Sequence, residues 1–218
     1  MTSVLQPNKT ADQSLADQAY FRIRELIVTL ELRPGSAINE RDLIERIDLG
    51  RTPIRDALRM LQHDRLVEVF PRRGILVAGV NAGDLAGLSE VRSVLEPQGA
   101  RLAAERRTNA DLVTIDALLS ELDTTLGDQR KLIALDQRIH SCTYHCTHNP
   151  FLEATLASYY IHALRIWFLA LDRVARLETS ILEHRELLEA IAEGNGDLAE
   201  AAMARHVAGF ERAIRAVL

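Results

Sequence analysis

From Asp84 to the end of the chain the sequence carries helical patterns and no β-strand pattern. Apolar residues recur at three- and four-residue steps, and TNAD, LGDQ, HNP and EGNGD interrupt them with Asn, Gly and Pro. The breaks leave six helical segments, near 84–106, 109–126, 129–147, 150–175, 178–192 and 197–216. Such a series packs as an antiparallel bundle with its ligand site between helices. We therefore predict an all-α six-helix bundle over residues 81–218.

The first 80 residues carry a different pattern. Residues 1–14 are polar and aperiodic, which predicts a mobile arm. Three short amphipathic helices come next, with Asn39 expected to cap the second and Thr52 to cap the third, ahead of Pro53. LVEVF and ILVAGV, joined by PRRG, predict a β-hairpin. Residues 15–80 are therefore predicted to form a winged helix-turn-helix domain, which makes the fold mainly α.

The third helix, which begins RTPIRDALRML, has an apolar side and an arginine side. Arg51, Arg55 and Arg59 succeed one another at four-residue steps. Such a helix can lie in the major groove, where arginine binds guanine and phosphates. The alternative is a solvated arginine face on an ordinary helix. DNA binding is favoured because further polar residues are expected on the same face as these arginines. They are Arg41, Thr52 and, at the hairpin tip, Arg72 and Arg73.

These residues lie within LRPGSAINERDLIERIDLGRTPIRDALRMLQHDRLVEVFPRRGILV, which resembles the GntR-type winged helix. That family has a PG turn, a helix with E-x-x-L, then S-R-T-P-V-R-E-A-L-x-x-L and a wing with R-G-x-x-V. The resemblance covers residues 15–80 and adds Gly74 of the wing to the implied DNA contacts. Gly50 stands where the family usually has Ser or Thr, so a hydroxyl contact to phosphate is expected to be missing. The full predicted DNA-binding set is Arg41, Arg51, Thr52, Arg55, Arg72, Arg73 and Gly74.

The stretch DQRIHSCTYHCTHNP, residues 136–150, concentrates potential metal ligands. Asp136 and His140 share a helix face because four residues turn about 400°. His145 points about 140° away from His140, and His148 falls at the helix end. At most one ligand pair therefore comes from this stretch.

Two later histidines, His184 and His206, fall on the inward apolar stripes of their helices. Each one alone fits a hydrogen-bonded core histidine, because a buried polar group must be paired. Together with Asp136 and His140 they favour a site for a divalent metal, since buried Asp and His are compensated when they share a cation.

The same residues carry a second resemblance. LDQRIHSCTYHCTHNPFL resembles the D-x-x-F-H-x-x-L-x-x-x-x-x-N-P pattern of the FCD ligand domain of the FadR subfamily, and LSEVRSVLEPQGARLAA resembles its first helix. The resemblance covers residues 82–216, and six helices match the VanR-like group. It implies that one Asp and three His hold zinc, nickel or a similar ion, with a small carboxylic acid at an open position. Nitrogen and oxygen ligands suit several metals, so the sequence does not fix the identity of the ion. Zinc is the expected metal, with nickel and manganese as alternatives.

Arg92 matches the arginine of the family's first helix and could pair with an effector carboxylate through both guanidinium nitrogens. The alternative is a surface ion pair with a nearby Glu. Trp167 is either a wall of the effector cavity or plain core. Arg101 and Arg165 are weaker candidates for the same anion.

The sequence has no apolar run of the ~20 residues that cross a bilayer and no secretory signal order at MTSVLQPNKT, so we expect a cytoplasmic protein without membrane contact. Its two cysteines, Cys142 and Cys146, are expected to be thiols, with a redox or thiolate–metal pair as the alternative.

The favoured function is a transcriptional repressor, not an enzyme. A homodimer would present its recognition helices about 34 Å apart to a palindromic operator on double-stranded DNA. The bundle would sense a small organic acid through a bound metal. Two alternatives remain: a metal-dependent hydrolase or lyase using the same four ligands, and a regulator whose metal is purely structural.

Overall fold

The computed structural model describes residues 13–122, 124–125, 129–170 and 177–217. The chain forms two compact units that divide between Asn81 and Ala82. The first unit contains three helices and three strands: α1 (Leu15–Val28), β1 (Ala37–Ile38), α2 (Glu40–Ile47), α3 (Arg51–His63), β2 (Val67–Phe70) and β3 (Gly74–Val77). The second contains six helices among its described residues: α4 (Ala82–Arg106), α5 (Asn109–Leu122), α6 (Gln129–His145), α7 (Pro150–Ala170), α8 (Leu177–Glu193) and α9 (Gly196–Arg215). The predicted fold class, a winged helix-turn-helix followed by a six-helix bundle, is confirmed.

Two predicted helix starts in the first unit differ from the structure. Residues 1–12 of the predicted arm lie outside the described residues, but Ser14 is the N-cap of α1 and exchanges hydrogen bonds with Asp17. Gly50, not Thr52, is the N-cap of α3, and Pro53 is its third residue. Proline is tolerated there because the first N–H groups of a helix have no intrahelical partner.

The winged unit is held by an apolar core and a small antiparallel sheet. Asn39 caps α2 as predicted, since its side chain accepts a hydrogen bond from the Arg41 backbone N–H. The strand order is β1-β3-β2, and β1 was not predicted because two residues are too short to show an alternating pattern. The β2–β3 turn places Arg72 and Gly74 at φ 66° and 84°, where glycine avoids the strain of a side chain.

In the helical unit, α4 packs along α9, α8 packs on α9, and α6 and α7 both contact α4. Two helices end earlier than predicted: α5 at Leu122 and α6 at His145. Helix α7 ends at Ala170, and the residues 171–175 that the prediction added lie outside the described part. Among the described helices, none combines the length and the apolar character needed to cross a membrane.

Candidate metal centre and nucleic-acid interface

Three helices of the bundle bring the four predicted metal ligands together. Asp136 and His140 lie on α6, His184 on α8 and His206 on α9. All four side chains are buried, and one ligand atom from each lies within 4.8 Å of the others. A cluster of this kind, assembled from separate helices of a bundle core, is a usual location for a metal site.

The spacing of the ligand atoms fits a first-row divalent ion. The Nε2 atom of His140 lies 3.2 Å from that of His206 and 3.3 Å from that of His184. Two nitrogens bound tetrahedrally at 2.0–2.1 Å from one ion would be about 3.3 Å apart. The Asp136 Oδ1 atom lies 3.6 Å from His184 Nε2 and completes the set. The donor set and its spacing therefore fit a divalent metal ion.

The second oxygen of Asp136 has a partner from α7 that the sequence did not reveal. Tyr160 donates its hydroxyl hydrogen to Asp136 Oδ2 at 2.5 Å. Burial raises the pKa of Asp136, although the charge of His206, the Tyr160 hydrogen bond and the charge of Arg92 oppose it. Burial also raises the pKa of Tyr160 well above its usual value, so this phenol remains a donor. Oδ1 is consequently the oxygen directed to the shared centre.

The histidines have further polar neighbours behind them. The Nδ1 atom of His140 lies 3.0 Å from the Tyr144 hydroxyl oxygen and 3.5 Å from Glu96 Oε2. His206 Nδ1 lies 3.7 Å from Glu183 Oε2. Burial and the positive charges of His184, His206 and Arg92 lower the pKa of His140 well below 6.5. His140 is therefore neutral at physiological pH, as metal binding requires.

Arg92 lies beside this cluster, and its ion pair is buried rather than on the surface. It is only 2% exposed, its Nε donates to Glu96 Oε1, and its Nη1 has no hydrogen-bond partner among the described residues. Its guanidinium carbon lies 4.9 Å from the centre of the Phe210 ring. Burial lowers the pKa of Arg92, but the Glu96 charge more than compensates, so the net shift is upward.

A small pocket lies between Arg92 and the predicted metal ligands. Its apolar wall is formed by Ala163, Leu164, Trp167 and Phe210, and its polar lining is formed by Arg92, Asp136, His140, Tyr160 and His206. The space that can take the centre of a water molecule is about 10 Å³, close to the room for one water. Trp167 is thus both buried and part of the wall of this pocket.

The remaining candidates of the helical unit lie elsewhere. His145 pairs with Glu153 at 3.3 Å, and His148 contacts Asp111 at 2.8 Å. Arg101 forms ion pairs with Asp197 and Glu200, outside the pocket. The Sγ atoms of Cys142 and Cys146 are 3.9 Å apart, as two free thiols. Arg165 is buried on α7 but does not line the pocket.

In the winged unit, α3 buries one side and exposes the other. The predicted DNA-binding residues are all exposed, on α2, on the first turns of α3 and at the β2–β3 turn: Arg41, Arg51, Thr52, Arg55, Arg72, Arg73 and Gly74. Arg55 Nε donates to Glu40 Oε2 at 2.9 Å, a contact from α3 to α2 that the sequence did not reveal. Arg59 pairs instead with Asp56 of its own helix at 3.2 Å.

A winged helix followed by an all-helical domain defines a class of two-domain bacterial DNA-binding regulators. The chain matches the FCD domain over residues 87–209 and the bacterial regulatory proteins of the gntR family over residues 15–77. It therefore belongs to the GntR family, as an FCD-domain member consistent with the FadR-like subfamily. It is a transcriptional regulator rather than an enzyme. GntR regulators bind DNA, and FCD domains can bind metal.

Proteins that are similar to this chain over nearly its whole length agree with this assignment. The chain is 29% identical to the galactonate operon transcriptional repressor of Escherichia coli, covering 92% of this chain and 97% of that protein. It is 24% identical to the transcriptional repressor RspR of Escherichia coli, covering 100% and 95%. The structure of E. coli McbR/YncC shares the fold, with a TM-score of 0.82 at 22% identity over 94% and 98% of the two chains. A putative GntR regulator from Rhodococcus sp. RHA1 shares it with a TM-score of 0.75, 21% identity and 94% and 100% coverage.

Proposed function

We propose that this protein is a transcriptional repressor whose helical domain holds a divalent metal ion and binds a small carboxylic acid. The observation that carries the proposal is the convergence of Asp136, His140, His184 and His206 in a buried cluster with Arg92 beside it. Four buried groups of this type favour a shared cation, which would compensate the cost of burying them. Zinc is the first choice, with nickel and manganese as alternatives.

The acid would bind between the metal and the guanidinium of Arg92. When bound, the ion supplies an electrophilic position that accepts a carboxylate oxygen. Arg92 supplies a second fixed positive charge, while the aromatic wall with Trp167 and Phe210 would contact an apolar tail once these side chains move apart. Support for an acid also comes from the relative that is named a galactonate operon repressor, because galactonate is a carboxylate.

On the DNA side, the exposed arginines of α3 would bind a palindromic operator as part of a homodimer. Arg51 and Arg55 would contact base edges in the major groove, Arg41 and Thr52 would hold phosphates, and the wing would approach the adjacent groove through Arg72, Arg73 and Gly74. Two relatives are named as repressors, which supports the proposal that this protein represses transcription rather than activates it. The acid must favour one state of the dimer, since a ligand shifts an equilibrium only by its differential affinity.

The test combines metal, acid and DNA. Zinc-loaded protein is screened by thermal shift against small organic acids, and each stabilising acid is then added to a titration of operator DNA. We expect at least one acid to raise the melting temperature and weaken operator binding, and Arg92→Gln to abolish both effects. The matched control is Arg101→Gln, whose guanidinium lies outside the pocket.

A purely structural metal is the second candidate, favoured by the depth at which the four ligands are buried. It predicts that zinc raises the melting temperature while no acid changes operator affinity. That result would leave the DNA-binding and metal proposals standing and would remove the acid.

A further inference from the structure

Glu96 is a buried carboxylate of α4 that lies between two parts of the proposed site. It is 1% exposed, one helical turn after Arg92. A charge at this depth is costly unless it is paired and hydrogen-bonded. Its two oxygen atoms face different residues: Oε1 faces Arg92 and Oε2 faces His140.

The first oxygen fixes the arginine. Oε1 accepts a hydrogen bond from Arg92 Nε, and the i,i+4 spacing on one helix holds the two side chains along the same face. Because Nε is used, the guanidinium end remains for another anion, and Nη1 has no partner among the described residues. Glu96 therefore turns a flexible side chain into an oriented one before any acid arrives.

The second oxygen lies behind a metal ligand. Oε2 makes no hydrogen bond among the described residues but lies 3.5 Å from His140 Nδ1, and the Tyr144 hydroxyl lies 3.0 Å from the same nitrogen. A carboxylate behind the distal nitrogen of a ligating histidine orients the ring and raises its basicity. With the hydrogen on Nδ1, the Nε2 lone pair is directed toward the Nε2 atoms of His184 and His206.

We propose that Glu96 is a positioning residue shared by the acid-binding arginine and the metal-binding histidine, and that it couples metal binding to acid binding. The inference rests on the proposed function and deepens it. One rigid carboxylate sets the orientation of both Arg92 and His140, so a change in one partner is transmitted to the other through a single side chain.

The neighbouring charges indicate how the site would respond to the loss of this carboxylate. Asp136 is a second acidic side chain near Arg92, since both line the same pocket and the Arg92 charge acts on the Asp136 carboxylate. Without Glu96, Arg92 would be drawn to a metal ligand and would compete with the ion for it. Glu96 thus keeps the arginine available for the acid and the aspartate available for the metal.

The experiment compares Glu96→Gln with wild type and with Glu183→Gln, whose carboxylate lies behind His206 and is partly exposed. Zinc affinity is measured by chelator competition, with and without acetate, propanoate or butanoate. We expect Glu96→Gln to weaken zinc binding about 10- to 100-fold. We also expect the acids to tighten zinc binding in wild type and in Glu183→Gln, but not in Glu96→Gln, because coupling between ligands is reciprocal.

A second variant covers the case in which Glu96→Gln fails to fold. Glu96→Asp keeps the charge that neutralises Arg92 but withdraws the carboxylate from His140, so zinc affinity should still fall. Circular dichroism monitors the helical content of each variant. In long-range ¹H–¹⁵N spectra of the zinc-free protein, the proton of His140 should lie on Nδ1 in wild type and redistribute in Glu96→Gln.

The outcomes separate the inference from the function on which it rests. If wild type binds zinc and acid while Glu96→Gln loses no more zinc affinity than Glu183→Gln and keeps the coupling, the role of Glu96 is overturned. If wild type binds no zinc, the metal proposal itself has failed. If it binds zinc but none of the three acids alters zinc affinity, the coupling is refuted, and zinc affinity in Glu96→Gln still decides the orientation of His140.

Discussion

The hydroxyl of Tyr160 on α7 donates to Asp136 Oδ2 on α6 at 2.5 Å, so the orientation of one proposed metal ligand depends on a neighbouring helix. Tyr160→Phe removes this donor and leaves the ring. We expect the zinc affinity of the variant to fall about tenfold, because Asp136 loses the bond that directs Oδ1 to the centre. Chelator competition measures the change, and Tyr159→Phe, on the same helix, is the control. Equal zinc affinity in wild type and Tyr160→Phe would show that Asp136 is oriented by packing alone.

Metal removal should destabilise the helical unit more than the winged one. The four proposed ligand residues lie on α6, α8 and α9, so a bound ion would link these three helices. An ion that binds only the folded state stabilises it by about 2.7 kcal/mol at a concentration 100 times its Kd. We expect chelation to lower the melting temperature of wild type and to leave that of His184→Ala unchanged. Scanning calorimetry, with zinc returned at the end, measures both. A zinc-dependent transition that survives in His184→Ala would place the ion elsewhere.

Asp111 should contribute to stability at neutral pH and lose its contribution in acid. It accepts hydrogen bonds from the backbone and hydroxyl of Thr108, the residue before α5, and contacts His148. Burial raises the pKa of Asp111, but these hydrogen bonds outweigh it and the net shift is downward from 3.8. The stabilisation is thus present above pH 3.8 and is lost as the pH falls through the lower, folded-state pKa.

Asp111→Asn should therefore reduce the free energy of unfolding at pH 7 by about 1 kcal/mol, the typical net contribution of a hydrogen bond. The difference from wild type should shrink as the pH falls below 3.8. Urea unfolding across this range measures it, with Asp116→Asn, an exposed change on the same helix, as the control. A difference that stays constant with pH would mean that the carboxylate charge is not involved.

Glu40 should sharpen the base preference of Arg55 on DNA. Its hydrogen bond to Arg55 Nε leaves the two terminal nitrogens of the guanidinium for a bidentate contact with guanine. In Glu40→Gln we expect discrimination at the base pair read by Arg55 to fall by about 1–3 kcal/mol. Non-specific affinity should be kept or increased, because an acidic group near the phosphates has gone.

The matched control for Glu40 is Asp56→Asn, which releases Arg59 from a similar exposed pair. Binding of a randomised operator library, followed by salt titrations, separates discrimination from affinity. If Glu40→Gln lowers affinity equally for all sequences, Glu40 supports the domain rather than the recognition of a base.

The fold and the convergence of the four proposed ligands could be predicted because both depend on periodicity. His184 and His206 lie on inward stripes, so their convergence with α6 required only that the helices pack in a bundle. The partners of the site were missed, because Tyr160, Glu96 and Glu40 act through contacts between side chains that helical spacing does not encode. The prediction that Thr52 caps α3 was wrong because side-chain chemistry alone does not identify the cap. Thr52 has a suitable hydroxyl, but Gly50 has the extended backbone, with ψ 169°, that the cap position requires.

The pocket between Arg92 and the metal ligands has room for about one water molecule. A carboxylic acid of even two carbons exceeds that volume, and a close-packed core does not yield without moving its walls. An acid that enters must therefore separate side chains of α4, α7 and α9, which carry Arg92, Trp167 and Phe210. Because the pocket is this tight, an acid cannot bind without displacing these side chains. Binding of the acid and a change in the packing of α4, α7 and α9 would therefore occur together.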